Sequence, residues 1–137
     1  MSQLSLSGSC LCGAISYKIT GKSRAFNHCH CHRCQKATGT GHASNIIAKP
    51  DTAEWLSGEE LINSFKVPDA ERFRTVFCSR CGSPLPRIAP DLSIAVIPAG
   101  SLDNSPDIGP TARIFWSSRA DWSCDAGDIP IWPEYPT

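Results

Sequence analysis

No sign of charge predominates in this chain: 13 basic and 13 acidic residues cancel, and neither sign gathers into a long run. That balance excludes the basic stripe of a nucleic-acid-binding surface and the polybasic patch of a membrane-surface protein. Long apolar runs are missing too, so no segment is expected to span a bilayer. The opening Met1-Ser2-Gln3-Leu4-Ser5-Leu6 has neither a basic nor an apolar leader region, which makes a secretory signal unexpected and a cytoplasmic location the expectation. Persistent disulfides are rare in that compartment, so the eight cysteines do not read as a disulfide framework. Repeats, linkers and low-complexity segments are also absent, and a single domain over residues 1–137 is expected.

Apolar residues make up only 41% of the chain, while 11 prolines and 10 glycines favour short strands and turns over long helices. A core of that size often needs cross-links, and the cysteines are there to supply them. Period-2 alternation is clearest at Ile15, Tyr17 and Ile19 against Ser16, Lys18 and Thr20, a half-buried strand. Leu4–Ser9, His42–Ala48 and Leu92–Ile97 read as further strands, as does Ala112–Trp116. Leu61–Val67 and Arg72–Phe77, separated by Pro68-Asp69-Ala70-Glu71, read as an antiparallel hairpin. Gly21-Lys22-Ser23 reads as a turn, Pro50 as a strand end, and 51–56 as irregular or a single turn. Gln35–Thr38 could make one helical turn stopped by Gly39 and Gly41. Beyond Asp125, prolines rule out regular structure, and Ile131, Trp132 and Tyr135 are expected to pack the tail down. The fold class is mainly β with little helix.

The densest chemistry is His28-Cys29-His30-Cys31-His32-Arg33-Cys34. In an extended backbone Cys29 and Cys31 point to one face and the three histidines to the other. Cys34, reached through a short turn, can fold back to join the first two. Three soft thiolates then meet one cation, with a fourth position undecided. A closed fourth position makes a structural zinc site, and an open one a catalytic site.

Two other groups bear on that choice. Cys78-x-x-Cys81-Gly82 has the spacing that lets two sulfurs meet one tetrahedral ion, and no βαβ pattern surrounds it to favour a redox pair. Cys10-x-Cys12-Gly13 can supply the other half of a four-sulfur site. The favoured partition is therefore two zinc ions per chain. Cys10, Cys12, Cys78 and Cys81 form a closed structural site, and Cys29, Cys31 and Cys34 an open, more labile one. Two alternatives stand beside it: a histidine closing the three-cysteine group, or one zinc with several spare thiols. Cys124 is the odd thiol, either a small buried apolar residue or a free surface group.

These blocks also carry a family resemblance. Gly8-Ser9-Cys10-Leu11-Cys12-Gly13, Cys29-His30-Cys31-His32-Arg33-Cys34-Gln35-Lys36-Ala37-Thr38-Gly39 and Phe77-Cys78-Ser79-Arg80-Cys81-Gly82-Ser83-Pro84-Leu85 resemble the three signature blocks of the glutathione-dependent formaldehyde-activating enzyme family, which also includes centromere protein V. Gly100-Ser101-Leu102-Asp103 and Trp122 fit its looser downstream pattern, so the likeness runs over residues 7–134. Arg113 stands where many members carry a histidine before an Ile-Phe-like pair. The resemblance implies a small, mainly β, zinc-stapled fold with the same partition of metal ligands. It also implies carbon–sulfur lyase chemistry, joining formaldehyde to glutathione as S-hydroxymethylglutathione and the reverse.

An open three-thiolate zinc is thiophilic and would take a small-molecule thiol or glutathione adduct as its partner. His30 or His32 could shuttle a proton beside it, with His28 and His42 as weaker candidates. Two carboxylates on a glutathione-like ligand would need cations, of which Arg33 is the best placed in sequence, followed by Lys36, Lys22, Arg24 and Arg113. Trp116, Trp122 and Trp132 are expected in the core. The competing reading is a non-catalytic zinc module serving as scaffold or partner-binding surface. The sequence is silent on oligomeric state.

Overall fold

The computed structural model describes residues 2–123, 127 and 129–136. Strands β1 (Gln3–Ser9), β2 (Ser16–Cys29), β3 (Ala43–Ser57), β6 (Arg87–Ile88) and β7 (Ala95–Pro98) build one sheet in the order β1-β2-β3-β7-β6, and β8 (Ala112–Ile114) pairs with β2. Strands β4 (Ile62–Lys66) and β5 (Arg74–Cys78) form a separate antiparallel hairpin. The one α-helix among the described residues, α1 (His32–Thr38), lies between β2 and β3. The fold is mainly β, as the sequence implies. No helix among the described residues is long and apolar enough to cross a membrane.

Alternation sets the core. Leu4 and Leu6 of β1, Tyr17 and Ile19 of β2, Ile46 and Ala48 of β3, and Ala95 and Ile97 of β7 share one sheet face and bury together. Ala99, Leu102 and Ile108, from the segment after β7, pack against that face. Gly8 is required there by close approach: a Cβ would run into the Tyr17 ring and the Ser101 carbonyl.

The β2–β3 ladder is longer than expected. Where Gly21-Lys22-Ser23 reads as a turn and Pro50 as a strand end, the two strands stay paired from Ser16↔Ser57 to Cys29↔Ala43. Register shifts absorb the irregular residues. Asp51 is skipped between Thr20↔Thr52 and Gly21↔Pro50, and Arg24 between Ser23↔Ala48 and Ala25↔Ile47. A bulge needs no ladder hydrogen bond from proline, and Gly21 lets the Lys49 carbonyl come close where a Cβ would collide. Each bulge also reverses which face the next residues meet, and that breaks the period-2 signal.

The remaining elements follow the sequence with shifted ends. The hairpin forms as read, β7 starts at Ala95 rather than Leu92, and β8 stops at Ile114. α1 begins three residues earlier than Gln35, because Cys31 caps it: its sulfur accepts the Cys34 backbone N–H at 3.3 Å. Gly39, at φ 70°, closes the other end with its N–H on the Gln35 carbonyl. The tail does not pack down, since Ile131 is 94% exposed and Tyr135 89%. The tryptophans are also outside the core: Trp122 is 71% exposed, and Trp116 and Trp132 lie near the surface. Cys124 falls outside the described residues.

Candidate metal centres and the cleft between them

The fold gathers seven cysteines into two groups. Cys10 and Cys12 sit in the turn between β1 and β2, where Cys10 closes a short loop by bonding to Ile15 through its backbone N–H and Gly13 adopts φ 79°. Cys78 ends β5, and Cys81 follows in a turn that Gly82 completes at φ 77°, its N–H on the Cys78 carbonyl. The four sulfurs lie within 4.8 Å of one another. Cys10 Sγ is 3.6 Å from Cys12 Sγ, and Cys12 Sγ is 3.9 Å from Cys78 Sγ. A tetrahedron with zinc–sulfur bonds of about 2.3 Å has edges of about 3.8 Å, so the spacing suits a shared ion and not a disulfide. Backbone N–H groups of Ile15 and Arg80 point at the Cys10 and Cys78 sulfurs, each at 3.3 Å. Ser83 ties the two turns together: its hydroxyl oxygen accepts the Leu11 N–H at 2.8 Å and lies 3.0 Å from Cys81 Sγ. Hydrogen bonding by Ser83 holds the Cys81 thiol down to about 5, which favours the ligating thiolate form.

The second group is Cys29, Cys31 and Cys34, whose sulfurs also lie within 4.8 Å of one another. Cys29 is the last residue of β2, Cys31 the cap of α1, and Cys34 a buried residue of its first turn. Ala43, opposite Cys29 in the ladder, packs with Cys29 and Cys34, and Phe73 and Ile114 cover the group. Burial pushes the Cys29 and Cys34 thiols up. Burial acts on Cys31 too, but the Cys34 backbone N–H and the neighbouring thiols hold it below the ordinary range. A dication is what lets three such thiolates coexist, so the donor set fits a thiophilic metal. No histidine joins the three sulfurs within that span among the described residues, so the group remains three-sulfur.

The histidines expected on the opposite face do not all line a site. His30 is fully buried, with its ring edge-on to Trp116 at 5.1 Å, and burial lowers its pKa. His28 stacks on His42 with ring centroids 4.1 Å apart. His42 Nδ1 is buried without a hydrogen-bond partner. His32 and His42 are the two imidazoles that border the cleft described next.

That cleft, of about 1440 Å³, separates the β4–β5 hairpin from the outer face of the main sheet. Val96 and Pro98 face it while Ala95 and Ile97 face the core, as period 2 requires. Cys34 borders one part of it and Cys10 another. Of the cations read from the sequence, Arg33 and Lys36 line it, with the Arg33 guanidinium 6.0 Å from the centre of the Phe73 ring. Lys22, Arg24 and Arg113 do not; Arg113 instead lies 5.5 Å from the Trp116 ring. Arg74 and Arg87 line the cleft and were not legible from the sequence, since nothing in their own neighbourhoods marks them.

Comparison with known proteins bears on what such a pair of centres is for. The family model described as glutathione-dependent formaldehyde-activating enzyme matches residues 5–118. The chain belongs to that family. A protein of Halomonas elongata assigned by name to the same enzymes is 32% identical over 126 residues, covering 85% of this chain and 78% of that protein. The crystal structure of a Rhodobacter sphaeroides protein shares the fold, with a TM-score of 0.54 over 79% of this chain and 99% of that one at 18% identity. The cysteines grouped above all fall within the matched family region.

Proposed function

We propose that the protein is a zinc enzyme of carbon–sulfur chemistry, joining a small thiol to formaldehyde and cleaving the adduct, with S-hydroxymethylglutathione as the candidate product. Family membership supports the reaction class. The observation that carries the reading is a three-sulfur group that reaches a large cleft through Cys34, beside a separate four-sulfur group that needs no further ligand. Cys10, Cys12, Cys78 and Cys81 would hold one zinc as a staple, and Cys29, Cys31 and Cys34 the other. When bound to three cysteines, zinc supplies a thiophilic position at which a thiol ionises near neutral pH.

The chain's own residues do the rest. The thiol sulfur forms the new bond to the aldehyde carbon, the C=O π pair moves to oxygen, and the thiol proton ends on that oxygen; the reverse cleaves the same bond. His32 and His42, which border the cleft, are the imidazoles we assign to move that proton, whereas His30 is fully buried. Phe73 covers the three-cysteine group and limits its access to water. Arg33 and Lys36, which line the cleft, would meet a ligand's anionic groups.

The test is exchange spectroscopy on 13C-formaldehyde with glutathione, read against the uncatalysed rate. Acceleration by the zinc-loaded protein, lost in Cys31→Ser, is expected. A rate equal to the background, with two chelator-resistant zincs and no response of the metal to thiols, would leave only the scaffold reading.

A further inference from the structure

Arg87 is placed unlike a surface cation. It lies on the two-residue strand β6, paired with Val96 of β7, and is only half-buried at the cleft. One guanidinium nitrogen, NH1, is turned toward the backbone carbonyls of Arg72 and Arg74 at 3.4 Å each. Those two long contacts anchor one corner of the fork to the hairpin. No carboxylate pairs with Arg87 or with Arg74 among the described residues. Asp103, the one acidic residue bordering the cleft, accepts the Ser9 hydroxyl at 2.8 and 3.0 Å.

A half-buried guanidinium with a like charge nearby and no counter-ion is disfavoured, and Arg87, beside the exposed Arg74, is in that position. Burial first, and then the Arg74 charge, hold Arg87 below its usual range, and the Cys34 sulfur opposes them only in part. The cleft that Arg87 borders is otherwise largely apolar, with Phe65, Phe73, Val76, Leu85 and Val96 in its lining, while Arg87 and Arg74 also line a smaller, more polar recess with Asn63 and Ser64. A ligand that satisfies these surroundings has an anionic end, an apolar body, and a sulfur directed to the three cysteines.

We propose that Arg87, with Arg74 beside it, forms a carboxylate-recognition site in the cleft, and that besides glutathione the cleft accepts thiol carboxylates with an apolar body. The proposal rests on the reading of the three-cysteine group as a thiol-binding centre, and it assigns Arg87 the setting of specificity. Guanidinium suits this role because its planar fork can meet both carboxylate oxygens.

The test compares 2-mercapto-3-phenylpropionate with its primary amide, by calorimetry on the zinc-loaded full chain. The cobalt-exchanged protein reports arrival of the sulfur through its absorption. The acid is expected to bind about 10-fold or more tightly than the amide, the range of a charge-assisted pair. Arg87→Met should erase that preference while leaving the thiol-induced cobalt band, and Arg87→Lys should keep part of it. Equal affinities for acid and amide in the natural protein would overturn the proposal. So would a preference that survives in Arg87→Met. If that variant does not fold, Arg74→Met takes its place, and a reduced acid preference is the expected result. If neither thiol changes the cobalt band, the proposed thiol chemistry fails, and the thiol-free pair 3-phenylpropionate and 3-phenylpropionamide then decides the Arg87 site alone. Discrimination between these two supports it, and equal binding removes it.

Discussion

Each cysteine group contains a sulfur that accepts a backbone N–H at 3.3 Å: Cys10 from Ile15, Cys78 from Arg80, and Cys31 from Cys34. Such bonds orient a thiolate before a metal arrives and are the outer support on which metal affinity depends. Ser83 extends that support across two turns, joining the Leu11 N–H to Cys81. Ser83→Ala is therefore expected to weaken metal held by the four-cysteine group about 10-fold, in line with other outer-shell losses. Competition with a chromophoric chelator would read the change, and an unaltered affinity would deny Ser83 this role. The two groups are also expected to respond differently to loss of a ligand. Cys31→Ser should give a folded protein with one metal equivalent weakened, and Cys81→Ser a protein that fails to fold. Metal content with thermal melting distinguishes them; equal collapse of both would reverse the partition. The cysteine groups were legible because ligand spacing is local and chemically specific. Ser83 lay in plain sight two residues after Cys81, yet its hydroxyl acts on a turn distant in sequence. The tryptophans depart from expectation for the complementary reason: their size argues for burial, but Trp116 lies near the surface under Arg119, 4.4 Å from its ring.

Helix α1 shows how an element positions a site. Seven residues are too few to form a stable helix alone, so its ends must fix it. Cys31 caps the start and Gly39 the finish, and the same helix carries Cys34. Gly39→Ala meets no neighbouring atom but must hold φ 70° with a Cβ. The expected cost is about 1 kcal/mol. Weaker metal at Cys29, Cys31 and Cys34 should accompany it, with no change at the other group. Chelator titration of the two metals would show both effects. In the main sheet, the Tyr17 hydroxyl meets Ser101 Oγ at 2.6 Å, and Gly8 lies against the same ring. Gly8→Ala must displace that ring, an overpacking expected to cost about 1–3 kcal/mol in urea denaturation. Burial pushes the Tyr17 phenol up to about 12, so the fold favours its neutral form. A raised pKa leaves its stabilisation intact below the unfolded value and removes it as pH rises through the folded one. Stability should thus fall between about pH 10 and 12 more steeply in the natural protein than in Tyr17→Phe. Strands were readable wherever alternation ran unbroken, as in β1 and the first part of β2. It failed at the bulges by Gly21, Arg24 and Asp51, because pairing partners decide where a bulge falls and one strand's sequence does not contain them.

At the scale of the molecule, the four-cysteine group joins parts of the chain that the main ladder does not. Cys12 and Cys78 are 66 residues apart, and the β4–β5 hairpin pairs with itself rather than with the large sheet. Cys10, Ile15, Cys78 and Leu85 form a small core of their own, with Trp55 and Leu61 packed beside it. A metal held there would fasten the hairpin to the sheet and so hold one wall of the cleft against the other. The three-cysteine group sits at the far end of the β2–β3 ladder, where the hairpin contributes Phe73 and the sheet contributes Cys29. Removal of metal is therefore expected in two stages. A mild chelator should take the metal from Cys29, Cys31 and Cys34 while the far-ultraviolet circular dichroism stays intact. A strong chelator should then release the second metal and unfold the hairpin side, since binding free energy in such sites is folding free energy, on the order of 10 kcal/mol. Hydrogen exchange would locate the change: residues 62–78 should lose protection only in the second stage, with β1 and the first half of β2 opening last. Loss of both metals in one step would mean the two centres form a single cooperative unit. The cleft would then have no wall that outlasts its three-cysteine end.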